Sequence, residues 1–164
     1  MLIVIVIMGV VYHLAINSLE TIKKLQNNEK LRFSTLKRFL LHFSFEKSSR
    51  LVCLQGGRCF VVLDNEKAEN IEDDLDTNGV VLYRYTPREG LIETECEPYF
   101  NTRGIEQDVR FSYTITKDGI GEQLIVQTDK GVYDYTSYLD DVVEYNTPEE
   151  LVSAKEGLLF KAIE

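Results

Sequence analysis

The chain has 164 residues, 44% apolar and 27% charged, with no low-complexity tract, which points to one globular domain with an appendage. The net charge of -9 is uneven: residues 1–50 carry eight Lys and Arg against Glu20, Glu29 and Glu46, a net of +5, leaving -14 for the remainder. So acidic a body does not attract phosphate backbones, and direct nucleic-acid binding by it is not expected, while the basic segment suits anionic lipid headgroups.

The first stretch, MLIVIVIMGVVYHLAI, has no charged residue. Extended through Leu19 it predicts a helix of roughly 28 Å at 1.5 Å per residue, just short of a bilayer's hydrocarbon core. It lacks the basic n-region and small-x-small site of a cleaved signal. Its β-branched run over residues 2–7 is too uniformly apolar for a half-exposed helix, so membrane insertion is the expectation. From residue 19 to 43 the pattern changes. Leu19, Ile22, Leu25, Phe33, Leu36, Leu40 and Phe43 recur at spacings of three, four or their sums, and no Pro or Gly interrupts Val10 to Arg50. The spacing predicts one helix of forty-odd residues: residues 1–19 as a transmembrane half, and residues 20–47 as an amphipathic half packing Ile22, Leu25, Phe33, Leu36, Leu40 and Phe43 on a sheet.

The block M-L-I-V-I-V-I-M-G-V-V resembles the N-terminal block of type IV pilins and of the pseudopilins of type II secretion and DNA-uptake machines. The match covers about a dozen residues, with Gly9 where the family's glycine sits. It implies that Leu2, Ile3, Val4, Ile5, Val6, Ile7, Gly9, Val10, Val11 and Leu14 form a membrane and assembly helix. The family's basic leader, cleavage-site glycine, N-terminal phenylalanine that becomes methylated, and glutamate do not precede Met1. The expectation is therefore a start placed at an internal methionine.

Beyond Arg50 the alternation is that of strands. R-L-V-C-L-Q and R-C-F-V-V-L-D flank Gly56-Gly57, and G-V-V-L-Y-R-Y follows the turn Asp76-Thr77-Asn78-Gly79. In D-V-R-F-S-Y-T-I-T, Val109, Phe111, Tyr113 and Ile115 share one face, with Arg110, Ser112, Thr114 and Thr116 on the other. Turns at Lys117-Asp118-Gly119 and Thr128-Asp129-Lys130-Gly131 lead to E-Q-L-I-V-Q-T and G-V-Y-D-Y-T. Residues 48–164 therefore read as an antiparallel sheet with one wet face. A short helix starts after Thr147, with Pro148 in its first turn and Glu150 at its third position, and G-L-L-F-K-A-I reads as a last strand. The expected fold is α+β and pilin-like, a long N-terminal helix on an antiparallel sheet.

Candidate sites are few. With a two-residue turn at Gly56-Gly57, Cys53 and Cys59 point to opposite faces; with a three-residue loop ending on a left-handed Gly57 they pair directly and can bond. The second arrangement is favoured for an oxidising compartment, with Cys96 the odd thiol that could pair with either. Asp74, Asp76 and Asn78 match the first half of a calcium loop, but its twelfth position is Tyr85 rather than a bidentate glutamate. A solvated acidic turn is the reading there; calcium binding by some major pseudopilins is what the resemblance adds, and no other cofactor is expected. His13 and His42 are the only histidines, and neither sits where a nucleophile in the β-domain could use it. No phosphate loop or dinucleotide fingerprint occurs.

The expectation is thus a structural protein rather than an enzyme: a minor pseudopilin or pilin-like subunit, single-pass in the inner membrane with a periplasmic body. Its partners would be other pilin or pseudopilin subunits, the inner-membrane assembly platform and secreted cargo, met through acidic loops at 69–76 and 137–145. A membrane-anchored periplasmic binding module that never polymerises is the alternative.

Overall fold

The computed structural model describes residues 31–71, 75–138 and 141–161. The expected assembly helix from Leu2 to Leu14, with His13, Ile22, Leu25 and Asp74, lies outside them. The first described segment corrects the long helix. Arg32 is extended, at φ -143° and ψ 159°, because Leu31 and Phe33 on either side of it are both buried in the core. Burial two residues apart on one side requires strand-like geometry. A 3-10 turn at Phe33–Thr35 then leads into α1, Leu36–Leu41, whose Leu36 and Leu40, four apart, are fully buried. So short a helix is held by that packing rather than by propensity. It stops well before residue 47, and Phe43 and Phe45 again pack against the core two residues apart.

The described residues are predominantly antiparallel β, not a long helix laid on a sheet. One sheet has the order β3-β2-β1-β8, from β1 (Ser48–Leu54), β2 (Cys59–Leu63), β3 (Lys67–Asn70) and β8 (Val109–Thr116). A second has the order β11-β10-β9-β4-β5, from β4 (Val81–Thr86), β5 (Gly90–Thr94), β9 (Ile125–Thr128), β10 (Gly131–Asp134) and β11 (Val143–Tyr145). A small hairpin pairs β6 (Tyr99–Phe100) with β7 (Glu106–Gln107). Leu51, Val61, Phe111, Tyr113 and Ile115 of the first sheet share one core with Leu82, Leu124, Val126 and Tyr135 of the second and with Phe33, Leu36 and Leu40. Tyr135 ties these parts together by donating its hydroxyl to the Phe33 carbonyl at 2.6 Å, while its ring lies 4.6 Å from that of Tyr113. On the other face of the first sheet, Val52, Leu54 and Val62 form a second small core with Phe60 and Tyr99.

The expected last strand is instead the end of a helix, α2, Pro148–Lys161. Glu150 N–H donates to Thr147 Oγ1 at 3.3 Å and the Glu150 carboxylate reaches back to Asn146 N–H at 3.0 Å, a capping arrangement that starts the helix firmly. The helix covers the outer face of the second sheet, where Leu151 packs with Ile125 and Val132. Asp134 is buried beneath it. Its carboxylate accepts from Thr136 N–H at 2.9 Å and Thr136 Oγ1 at 2.6 Å, and pairs with Lys155 Nζ at 2.5 Å; these partners satisfy a charge that would otherwise be costly to bury. Among the described residues no helix is long and apolar enough to cross a membrane. The single-pass inner-membrane placement is withdrawn accordingly.

One half-buried side chain joins the α1 segment to the first sheet. Asp64 and Asn65, at φ 54° and 62°, form the left-handed turn between β2 and β3. The Asp64 carboxylate accepts the backbone N–H groups of Glu46 at 3.0 Å, Lys47 at 2.6 Å and Ser48 at 3.1 Å. The N–H groups of Glu46 and Lys47, chiefly, hold its acidity below the ordinary carboxylate value. A lowered folded-state value gives stability that is present above the unfolded value and is lost as pH falls through the folded one. Asp64→Asn keeps a residue that tolerates the left-handed turn and removes only the charge. Urea unfolding should show the variant less stable than the parent at pH 7, with the difference shrinking below about pH 4. A difference independent of pH would show that the charge does not hold this junction.

Candidate binding cleft

The alternation of β1 puts Ser49, Leu51 and Cys53 on the inner face of the first sheet and Arg50, Val52 and Leu54 on the outer. On β8 the same alternation puts Ser112 and Thr114 beside Arg50. There a cleft of about 450 Å³ opens, its lining drawn from β1, β4, β8, residues 94–97 and residues 120–124. Its floor holds Arg50, Ser112, Thr114 and Cys96, buried or half-buried, and its rim holds exposed Arg84, Glu95, Glu97 and Glu122.

Arg50 Nη2 donates to Ser112 Oγ at 3.2 Å. Of three buried side-chain atoms without a hydrogen-bond partner among the described residues, Ser49 Oγ, Arg50 Nε and Tyr113 Oη, the Arg50 nitrogen belongs to the side chain that lines the cleft. A buried N–H left unpaired costs roughly 1–3 kcal/mol. Cys96 Sγ accepts the Ser112 N–H at 3.2 Å, filling a place at the edge of β8 where another strand would bond. Burial pushes the Cys96 thiol up, against the lowering effect of the Ser112 hydrogen bonds; Glu122 adds to the rise and the Arg50 charge opposes it. A thiol held in its neutral form is a poor nucleophile, and no histidine lines the cleft.

The residues singled out by sequence lie elsewhere. Cys53 and Cys59 are directly opposed across β1 and β2, with Cα atoms 4.1 Å apart, and are joined by a disulfide. Gly57 takes the left-handed conformation at φ 83°, and Leu54 N–H bonds the Arg58 carbonyl at 2.9 Å, so the loop is the three-residue one. Phe33, Leu36 and Leu40 are core residues and Phe43 is half-buried. Asp76 Oδ1 accepts both the backbone N–H and the side-chain amide of Asn78 at 3.2 Å, a local Asx turn leading into β4. Among the described residues no group of three or more His, Cys, Asp and Glu is placed to hold a metal. His42, just past α1, is exposed. Sequence reasoning missed Arg50 and Cys96 as parts of one site; the available signal was an Arg within the strand S-S-R-L-V-C-L, on the same face as Val52 and Leu54. No family model matches the chain, and no curated protein or solved structure matches it.

At one wall of the cleft, Gly121 lies against the Tyr113 hydroxyl; a Cβ built on Gly121 would lie 1.8 Å from Tyr113 Oη. Burial, with Glu122 adding to it, raises that phenol above its ordinary value, so it stays neutral and unpaired. Tyr113→Phe should therefore be neutral or stabilising by up to about 1 kcal/mol, because removing an unpaired buried hydroxyl costs little. Gly121→Ala should cost about 1–3 kcal/mol from overpacking, and less in the Tyr113→Phe background. Thermal or urea unfolding of the two single variants and the double variant checks this; a clearly destabilised Tyr113→Phe would mean that the hydroxyl has a partner.

Proposed function

We propose that the described domain is a non-catalytic binding module whose Arg50 cleft takes a small polar ligand. The observation that carries this reading is that Arg50, whose buried Nε–H has no partner among the described residues, lines a cleft of about 450 Å³, a size within the range of small-molecule sites. The neutral Cys96 thiol and a lining without histidine support recognition over chemistry. A pilin-type subunit is not advanced in its place, because the helix-on-sheet fold that carried that expectation is not the fold of the described residues.

The test is a panel of small polar compounds added to ¹⁵N-labelled protein while the Arg50 Nε–H resonance is followed. At least one carboxylate-bearing compound should shift it together with the backbone amides of Cys96 and Ser112, and Arg50→Met should weaken that compound's binding by about tenfold or more, about 1.4 kcal/mol. Shifts confined to other surfaces, or a panel silent at all three groups, would overturn the reading.

A further inference from the structure

The cleft is polarised along its depth. Its single floor charge is the Arg50 guanidinium, flanked by the Ser112 and Thr114 hydroxyls, with the Cys96 thiol uncharged beside it. Its exposed rim carries Glu95, Glu97 and Glu122 against Arg84. The chain as a whole bears -9. A ligand acceptor aimed at the floor must therefore pass a rim that repels anions. Polyanions such as nucleotides are disfavoured twice, by the rim and by the field of the whole molecule. A compound with one anionic head and one cationic group some distance behind it satisfies both layers. The head completes Arg50 with charge-assisted hydrogen bonds, and the cation meets the rim carboxylates.

On the reading that the cleft is a binding site, we propose that its ligand is a small zwitterion, a carboxylate joined to an ammonium or guanidinium group, held with the carboxylate on Arg50 and the cation at Glu95, Glu97 and Glu122. The planar Arg50 fork favours a carboxylate over a spherical anion.

The probes are 6-aminohexanoate, hexanoate and hexylamine, which share a chain and differ in their charges. Each is titrated by calorimetry and by the shift of the Arg50 Nε–H resonance. The expected order places 6-aminohexanoate about tenfold or more tighter than either singly charged probe. Arg50→Met should abolish its binding, and Arg50→Lys should restore part of it. A triple rim variant, Glu95→Gln, Glu97→Gln and Glu122→Gln, consists of exposed substitutions that leave the fold intact and should bring 6-aminohexanoate down to the affinity of hexanoate. Equal affinity for hexanoate and 6-aminohexanoate in the parent, or an unchanged preference in the rim variant, overturns the zwitterion while leaving the binding cleft standing. Silence of all three probes, with a response to some other compound of the broader panel, overturns the ligand class alone. Silence of both sets overturns the cleft as well.

Discussion

Everything near the cleft depends on the register of β1. This strand is paired on both sides, to β2 and to β8, and both of its faces are covered, the inner by the main core and the outer by the small Val52 cluster and the cleft. In a strand with a period of two, a slip of one residue exchanges the faces. Leu51 and Cys53 would leave the core, and Arg50 would enter it as a charge with no partner, at a cost of several kcal/mol. The direct pairing of Cys53 with Cys59 excludes that slip covalently on one side. At the opposite end of the β1–β2 pairing the Asp64 carboxylate, bonding three successive N–H groups as the chain enters β1, fixes where the strand begins. The polar wall of the cleft and the apolar core are thus two consequences of one alignment.

The same alignment explains how a largely acidic chain comes to present a cation at depth. Arg50 is held in place by its own neighbours rather than by a carboxylate: Ser112 takes one of its guanidinium nitrogens, and no ion pair to it is present among the described residues. The acids lie at the rim, on the segment after β5 and on the one after β8. Of the Arg50 guanidinium nitrogens, the buried Nε has no partner among the described residues. Structured sites of this kind sit where local rules are least satisfied.

Much of the β-architecture was legible from alternation. The strand over Val109–Thr116, its apolar set of Phe111, Tyr113 and Ile115, the hairpin around Gly57, and the helix start at Thr147-Pro148-Glu149-Glu150 each have strong local chemistry. What failed had ambiguous chemistry. Phe33, Leu36, Leu40 and Phe43 fit helical spacing, but Leu31 lies two residues before Phe33 and is equally buried; that pair of large residues reads as extended once a core is present on one side. Gly157-Leu158-Leu159-Phe160 is a short apolar run, which periodicity cannot assign to strand or helix. The capped helix begun at Pro148 simply continues through it. The cleft could not be read at all, because Arg50 and Ser112 lie 62 residues apart and meet only through the β1–β8 pairing.

The most direct measurement is a disulfide map of the whole protein, unfolded and alkylated without reduction, then cut with trypsin. Cleavage after Arg58 separates the two cysteines of the hairpin. The register described above predicts one mass joining the peptide Leu51–Arg58 to the peptide beginning at Cys59, and a peptide from Glu89 to Arg103 carrying a single alkylated Cys96. A bond from Cys96 to Cys53 or to Cys59 would contradict it, because Cys96 accepts the Ser112 N–H at the edge of β8 and the two hairpin cysteines are bonded to each other.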